Sequence, residues 1–179
     1  MEAELQLDLP IAIAAPLVLI CLGLGAYMSA AETAVTGTSR PRMHRLAQQG
    51  NRRAAIVNNL LDRKDEAVSA VLLGNSVVNI LSAALTTAVL TAIFGAAGVV
   101  YATIIVGILV VIFAEVMPKT WALLRADRVA LTLAPSIVVT LAILGPPARA
   151  VAWISRVFLG FLGVRVDRTP DFEEHADVL

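Results

Sequence analysis

The sequence predicts an all-α integral membrane protein: three transmembrane helices, amphipathic helices on the cytoplasmic side and a juxtamembrane helix. Three observations predict it. Hydrophobic residues make up 58% of the chain and charged residues 16%, with a mean hydropathy of +0.80, a balance rare in water-soluble domains. Two uncharged runs, residues 9–31 and 67–114, reach or exceed the roughly 20 apolar residues that a span requires. The first has room for one helix and the second for two. The charges are also unevenly placed. Glu2, Glu4 and Asp8 precede the first run without a base, whereas residues 39–66 hold Arg40, Arg42, Arg45, Arg52, Arg53, Arg63 and Lys64 against three acids. The positive-inside rule then puts the N-terminus outside and this loop in the cytoplasm.

Over the whole chain 14 basic and 14 acidic residues cancel, so net charge favours no nucleic-acid or acidic partner, and none is expected. The start lacks a basic n-region and a small-residue cleavage signal, so the first apolar run is read as a retained span. Cys21 is the single cysteine; it cannot form an intramolecular disulfide and is read as a small packing residue.

The first span is expected over residues 10–36, with Gly23 and Gly25 permitting close approach of a neighbouring helix. Residues 40–62 place Met43, Leu46 and Ala47, then Ile56, Val57, Leu60 and Leu61, at helical spacing around Gly50 and Asn51. That pattern predicts two short amphipathic helices under the membrane, their arginines toward lipid phosphates; a solvated basic loop is the alternative. The long run has its only glycine-rich break near the middle in "FGAAG", residues 94–98, and both of its flanks are basic on balance. It therefore predicts a hairpin of two spans, residues 65–94 and 98–125.

Residues 129–163 are uncharged up to Ala148 but carry Pro135, Pro146 and Pro147 and end in another basic flank. The sequence favours a proline-broken helix or shallow helical hairpin at the cytoplasmic interface, with Arg149, Trp153 and Arg156 near the headgroups, over a fourth span. Residues 1–168 thus form one membrane domain, and 169–179 a polar acidic tail. The expected location is the cell inner (plasma) membrane, multi-pass, with the C-terminus cytoplasmic.

Polar residues within spans are costly and mark pathways or sites by default. Three clusters stand out. In "SAAET", Ser29, Glu32 and Thr33 share a helix face. In "GNSVVN", Asn75 and Asn79 lie four apart beside Gly74, with Ser82 a turn beyond. In "FAEVMPKT", Glu115 precedes Pro118, Lys119 and Thr120. Pro118 lacks an amide hydrogen, so the Ala114 carbonyl loses its helical partner and needs another in lipid. A cation would satisfy it, using that carbonyl, Glu115, and side-chain oxygens of Ser29 and Asn75. Hard oxygen donors without thiolate or imidazole favour Mg2+, Ca2+ or Na+ over zinc or copper.

Each piece has a plainer reading. Ser29 or Thr33 can back-bond to helix carbonyls, Asn75 and Asn79 can be interhelical glue, and Glu32 can pair with a loop arginine. Pro118 can be a packing kink. Lys119 either snorkels to the cytoplasm or pairs with Glu115. His44 and His175 are too isolated to bind metal together. No serine has a buried base beside it, and no H-E-x-x-H motif occurs, so an enzyme is not expected.

These clusters, in this order, resemble the transmembrane domain of the CorC/CNNM family of magnesium exporters. The matching stretches are "SAAETAVTGTSRPRMHRLAQQG", "LLGNSVVNILSAAL" and "FAEVMPKTWA", similar to the family motifs S-x-x-E-T-A, G-N-x-x-N and G-E-x-x-P-K-T. The resemblance implies a homodimer of three-span protomers and Mg2+ export driven by Na+ entry. It implies a dehydrated Mg2+ held in an inward-facing cavity by Ser29, Asn75, the Ala114 carbonyl and Glu115, with Glu32, Asn79 and Thr120 supporting or sodium-linked. This chain departs by having Ala114 where the family has glycine. The nucleotide-binding CBS domains of the family do not occur within these residues; they are expected in a full-length protein, and ATP is not expected to bind here. The competing expectation is a non-transporting anchor or dimerisation module with a structural or sensing cation site.

Overall fold

The computed structural model describes residues 11–161; the expectations for the acidic N-terminus, the end of the juxtamembrane segment, His175 and the tail lie outside them. All described elements are helical. Helix α1 (Ile11–Gly37) is followed by α2 (Arg40–Gln48), α3 (Arg52–Asp62) and α4 (Lys64–Val110). A π-helical turn (Val111–Val116) then leads into α5 (Met117–Leu124) and α6 (Ala126–Phe161).

The hairpin forms where the glycines predict it. Gly95 has φ 63° and ψ −178°, a conformation that costs glycine little and any other residue strain. This single residue divides α4 into two limbs. Asn79 on the first touches Glu115 beyond the second; along one straight helix these residues would be roughly 54 Å apart. The first limb runs antiparallel to α1. Lys64 donates to the Thr36 carbonyl at 3.4 Å, a Cβ on Gly74 would meet Met28, and a Cβ on Gly25 would meet Asn79 Oδ1 at 3.4 Å. Gly25 therefore sits at a close approach, as expected, while a Cβ on Gly23 would touch nothing within 4 Å.

The loop after α1 forms the two short helices. Gly50 turns the chain at φ +87°, and the Asn51 side chain caps α3 by accepting from the amides of Arg53 and Ala54 at 3.0 and 3.2 Å. Their apolar side does not lie open toward lipid. Met43, Ala54, Val57, Leu60 and Leu61 are buried in one core with Ala31, Ala34 and Val35 of α1 and Val129, Ala130, Ala134 and Ile137 of α6. Full burial of a side chain such as Met43 contributes roughly 1.5–3 kcal/mol. Only the arginine-bearing side faces outward.

Helix α6 differs from expectation. Its backbone stays helical through Pro135, Pro146 and Pro147, without the break expected there, although its path bends back toward the end of the bundle where it starts. All three prolines are on its exposed side, whereas Ala130, Ala134, Ile137, Gly145 and Ala148 form a buried stripe. Packing along that stripe holds the helix together despite the missing amides. Its first turn is fastened by Asp127, which accepts from the Ser39 amide at 3.0 Å and from Arg42 at 2.8 Å. Farther along, Thr140 meets the Tyr27 hydroxyl, and Leu144 packs at Gly74. Arg149 and Arg156 then line a cleft with Asp65 and Glu66 at the start of α4. Both ends of α6 thus lie at the end of the bundle where α1 finishes and α4 begins.

Among the described residues four helices are long and apolar enough to cross a membrane: Pro16–Gly37, Lys64–Gly95, Thr103–Leu124 and Ala126–Phe158. The fourth coincides with the segment expected to be juxtamembrane.

Candidate functional site

The site is built where the helix carrying Pro118 departs from regular geometry. In the π turn the Met117 amide reaches back five residues to the Ile112 carbonyl. Phe113 thereby loses its usual partner, and the regular donor to the Ala114 carbonyl would be Pro118, which has no amide hydrogen. Two consecutive carbonyls thus lack their regular donors, one more than Pro118 alone accounts for. Ala114 is buried, 4% exposed, and the wide turn aims Glu115 at both neighbouring helices.

Ser29, fully buried on α1, donates from Oγ to the Glu115 carbonyl at 3.4 Å. Asn79 on α4 donates from Nδ2 to Glu115 Oε1 at 3.1 Å. One residue therefore receives hydrogen bonds from two other helices. Asn75 lies one turn before Asn79 on the same face, and its Oδ1 is buried with no hydrogen-bond partner. A buried carbonyl oxygen without a donor is costly, and a cation would satisfy it. Ser82 is buried a turn beyond Asn79, and both line a cavity with Glu115.

The remaining candidates take supporting positions. Thr33 and Thr120 back-bond, to the Ser29 carbonyl at 3.0 Å and the Val116 carbonyl at 2.7 Å, so each hydroxyl proton is engaged within its own helix. Lys119 does not pair with Glu115; its Nζ is 3.7 Å from Glu32 Oε2. That separation allows Coulomb attraction but exceeds hydrogen-bond length, and Glu32 Oε2 accordingly has no hydrogen-bond partner. Gly74 makes room not for the asparagines but for Leu144 of α6, whose Cδ1 would be 2.7 Å from a Cβ there. His44 is exposed and meets Gln48, and Cys21 is buried and free. Sequence reasoning missed Asp127; its place in the first turn of α6, in a chain with a basic loop, was the available signal.

Among the described residues no three His, Cys, Asp or Glu side chains gather closely enough to hold a metal ion. Any cation here must use neutral hydroxyl, amide and carbonyl oxygens around one carboxylate, a donor set for hard ions.

The helices and their internal polar cluster define an integral membrane protein. Residues 16–176 match the family model described as the cyclin M transmembrane N-terminal domain, and the chain belongs to this CNNM family. Curated relatives agree. The chain is 37% identical over 144 residues to the UPF0053 inner membrane protein YfjD of Escherichia coli, covering 80% of this chain and 34% of that protein. It is 30% identical over 155 residues to a UPF0053 protein of Haemophilus influenzae, covering 84% and 36%. A chloroplastic DUF21 domain-containing protein of Arabidopsis thaliana is 32% identical over 146 residues, covering 82% and 22%. The matched region thus spans about a third of each bacterial relative.

Proposed function

We propose that this chain is the membrane part of a secondary transporter that exports Mg2+ in exchange for Na+. The observation that carries the proposal is the convergence on Glu115: a π turn with two carbonyls that lack their regular donors, hydrogen bonds from Ser29 and Asn79, and the unpartnered Asn75 Oδ1 nearby. Ser29, Asn75, the Ala114 carbonyl and Glu115 are the proposed ligands. Glu115 supplies the formal charge, and the neutral oxygens replace part of the water shell. Because Ser29 and Asn79 reach Glu115 from different helices, relative movement of α1, α4 and the π turn would remake the site, as alternating access requires.

The proposed topology has three spans, the N-terminus outside and α2, α3 and α6 on the cytoplasmic side. The course of α6 supports it, since both ends of a full span could not lie beside the same end of the bundle. Basic residues gathered there support the orientation. Exposed apolar side chains such as Ile104, Ile108 and Phe113 fit lipid or the second protomer of a homodimer. CBS regulatory domains are proposed for the part of a longer protein beyond the matched region. No catalytic role is proposed.

A second reading is a non-transporting anchor or dimerisation module. It is favoured by the same hydrogen bonds, which knit three helices together without an ion. Purified protein in proteoliposomes separates the two readings. Mg2+ flux that requires a Na+ gradient and disappears in Glu115→Gln, while the variant elutes as native protein does, supports transport. Absence of native flux together with disassembly of Glu115→Gln supports the anchor.

A further inference from the structure

Beyond Glu115, toward the Gly95 turn, the two limbs of α4 enclose a cavity of about 220 Å³. Its lining includes Glu115 and Asn79 at one end, Ser82, Thr86 and Gly107 along it, and Thr103. The inward face of the first limb reads Ala67, Val71, Asn75, Asn79, Ser82, Thr86, Leu90 at spacings of three and four. Its two ends are apolar, as expected of a helix packed within lipid. The four polar positions between them begin at the candidate cation site and continue past it for about two turns, a run that packing alone gives no reason to keep.

Thr86 is the sharpest part of this pattern. Thr33, Thr87, Thr91, Thr120, Thr132 and Thr140 each bond to the carbonyl four residues before, the usual way for a hydroxyl to be satisfied in lipid. Thr86 does not, and its Oγ1 is buried with no hydrogen-bond partner. Across the cavity Gly107 keeps the facing wall low; a Cβ there would meet no atom within 4 Å.

We propose that this cavity is a second cation station, in which hydroxyls of Ser82, Thr86 and Thr103 receive a Mg2+ leaving Glu115 while it regains its water shell. The proposal rests on the transport reading above. The chemistry fits the lining. Among the described residues Glu115 at the inner end is the cavity's only carboxylate, so the outer part cannot offset the charge of a bare divalent ion, but its hydroxyl oxygens can accept hydrogen bonds from coordinated water. Mg2+ parts with its waters reluctantly, and six waters at about 30 Å³ each occupy roughly 180 Å³, within the volume enclosed. Rehydration inside the protein would lower the barrier to release from a site that strips the ion.

The test compares flux in proteoliposomes with Mg2+ binding to detergent-solubilised protein by calorimetry. The variants are Thr86→Val combined with Thr103→Val, which keeps shape and removes hydroxyls, and Gly107→Leu, which fills the cavity. Both are expected to bind Mg2+ within about twofold of native protein, because the ligands at Glu115 are untouched, and to transport at least tenfold more slowly. Native flux in both variants overturns the second station. Glu115→Gln serves as the reference: if it still binds and transports Mg2+ normally, the primary site itself is wrong. If it loses both while the hydroxyl and glycine variants transport normally, only the outer station is lost.

Discussion

Lys119 and Glu32 form an ion pair, 3.7 Å between Nζ and Oε2, one helical turn from the contact between Ser29 and Glu115 and toward the end that carries α2 and α3. Each partner lies three or four residues after a member of that contact. Under the proposed transport function, a cation reaching the polar cluster from that side would pass this fixed positive charge. At such a separation in a wet environment the interaction is about 1 kcal/mol, enough to tune entry without blocking it.

Replacing Lys119 by Met should therefore lower the Mg2+ concentration for half-maximal flux by about threefold to fivefold, because Glu32 is left to attract the ion. Glu32→Gln should raise it by a similar factor. Flux titrations in proteoliposomes check both, and equal values in native protein and both variants would remove the pair from the entry path.

Pro118→Ala returns an amide hydrogen to the helix. Regular pairing then competes with the π turn, so the variant should unfold at higher temperature in detergent, by up to about 3 kcal/mol in stability, and bind Mg2+ at least tenfold more weakly. Thermal unfolding with and without Mg2+ measures both effects. Tighter binding together with higher stability would show that the Phe113 and Ala114 carbonyls are not part of the site.

Gly74→Leu should weaken the junction of α1, α4 and α6, since even a Cβ would fall 2.7 Å from Leu144 Cδ1 and 3.2 Å from Met28. Overpacking of this kind costs about 1–3 kcal/mol. Gly74→Ala should cost less, because both neighbouring groups are ends of flexible side chains. A melting temperature lowered in the order Ala then Leu is the expected result in thermal unfolding.

Asp127→Ala should release the start of α6 by removing the partner of both the Ser39 amide and Arg42, at about 1–3 kcal/mol. Arg42→Ala should cost less than 1 kcal/mol, since the exposed pair is lost but the Ser39 amide keeps its acceptor. Limited proteolysis between α5 and α6 would rank the two variants against native protein.

The sequence made single helices legible, and relations between helices much less so. Gly95 was readable because a turn within an apolar run needs a residue with conformational freedom. The junction of α2 and α3 was readable because Gly50 and Asn51 carry turn and cap chemistry locally. Pro118 announced one carbonyl without its regular donor; the second depends on the π turn, which no propensity encodes. The continuity of α6 was hidden because its prolines argue locally for a break, and only burial of Ala134, Ile137 and Ala148 by other helices opposes them. Within the candidate site, Ser29 and Glu115 were legible as costly polar groups, but the choice of Glu32 over Glu115 by Lys119 depends on how α1 and α5 are rotated about their axes.

That rotation follows from the wide turn at Val111–Val116. One surplus residue in a helix advances every later side chain by roughly 100° around the axis. The π turn thus sets the phase of α5, directing Ala122 into the core, where it is fully enclosed, and leaving Trp121 on the outer surface. Deleting one residue from the turn would yield a straighter, better-bonded rod whose small contact residue faced the wrong way.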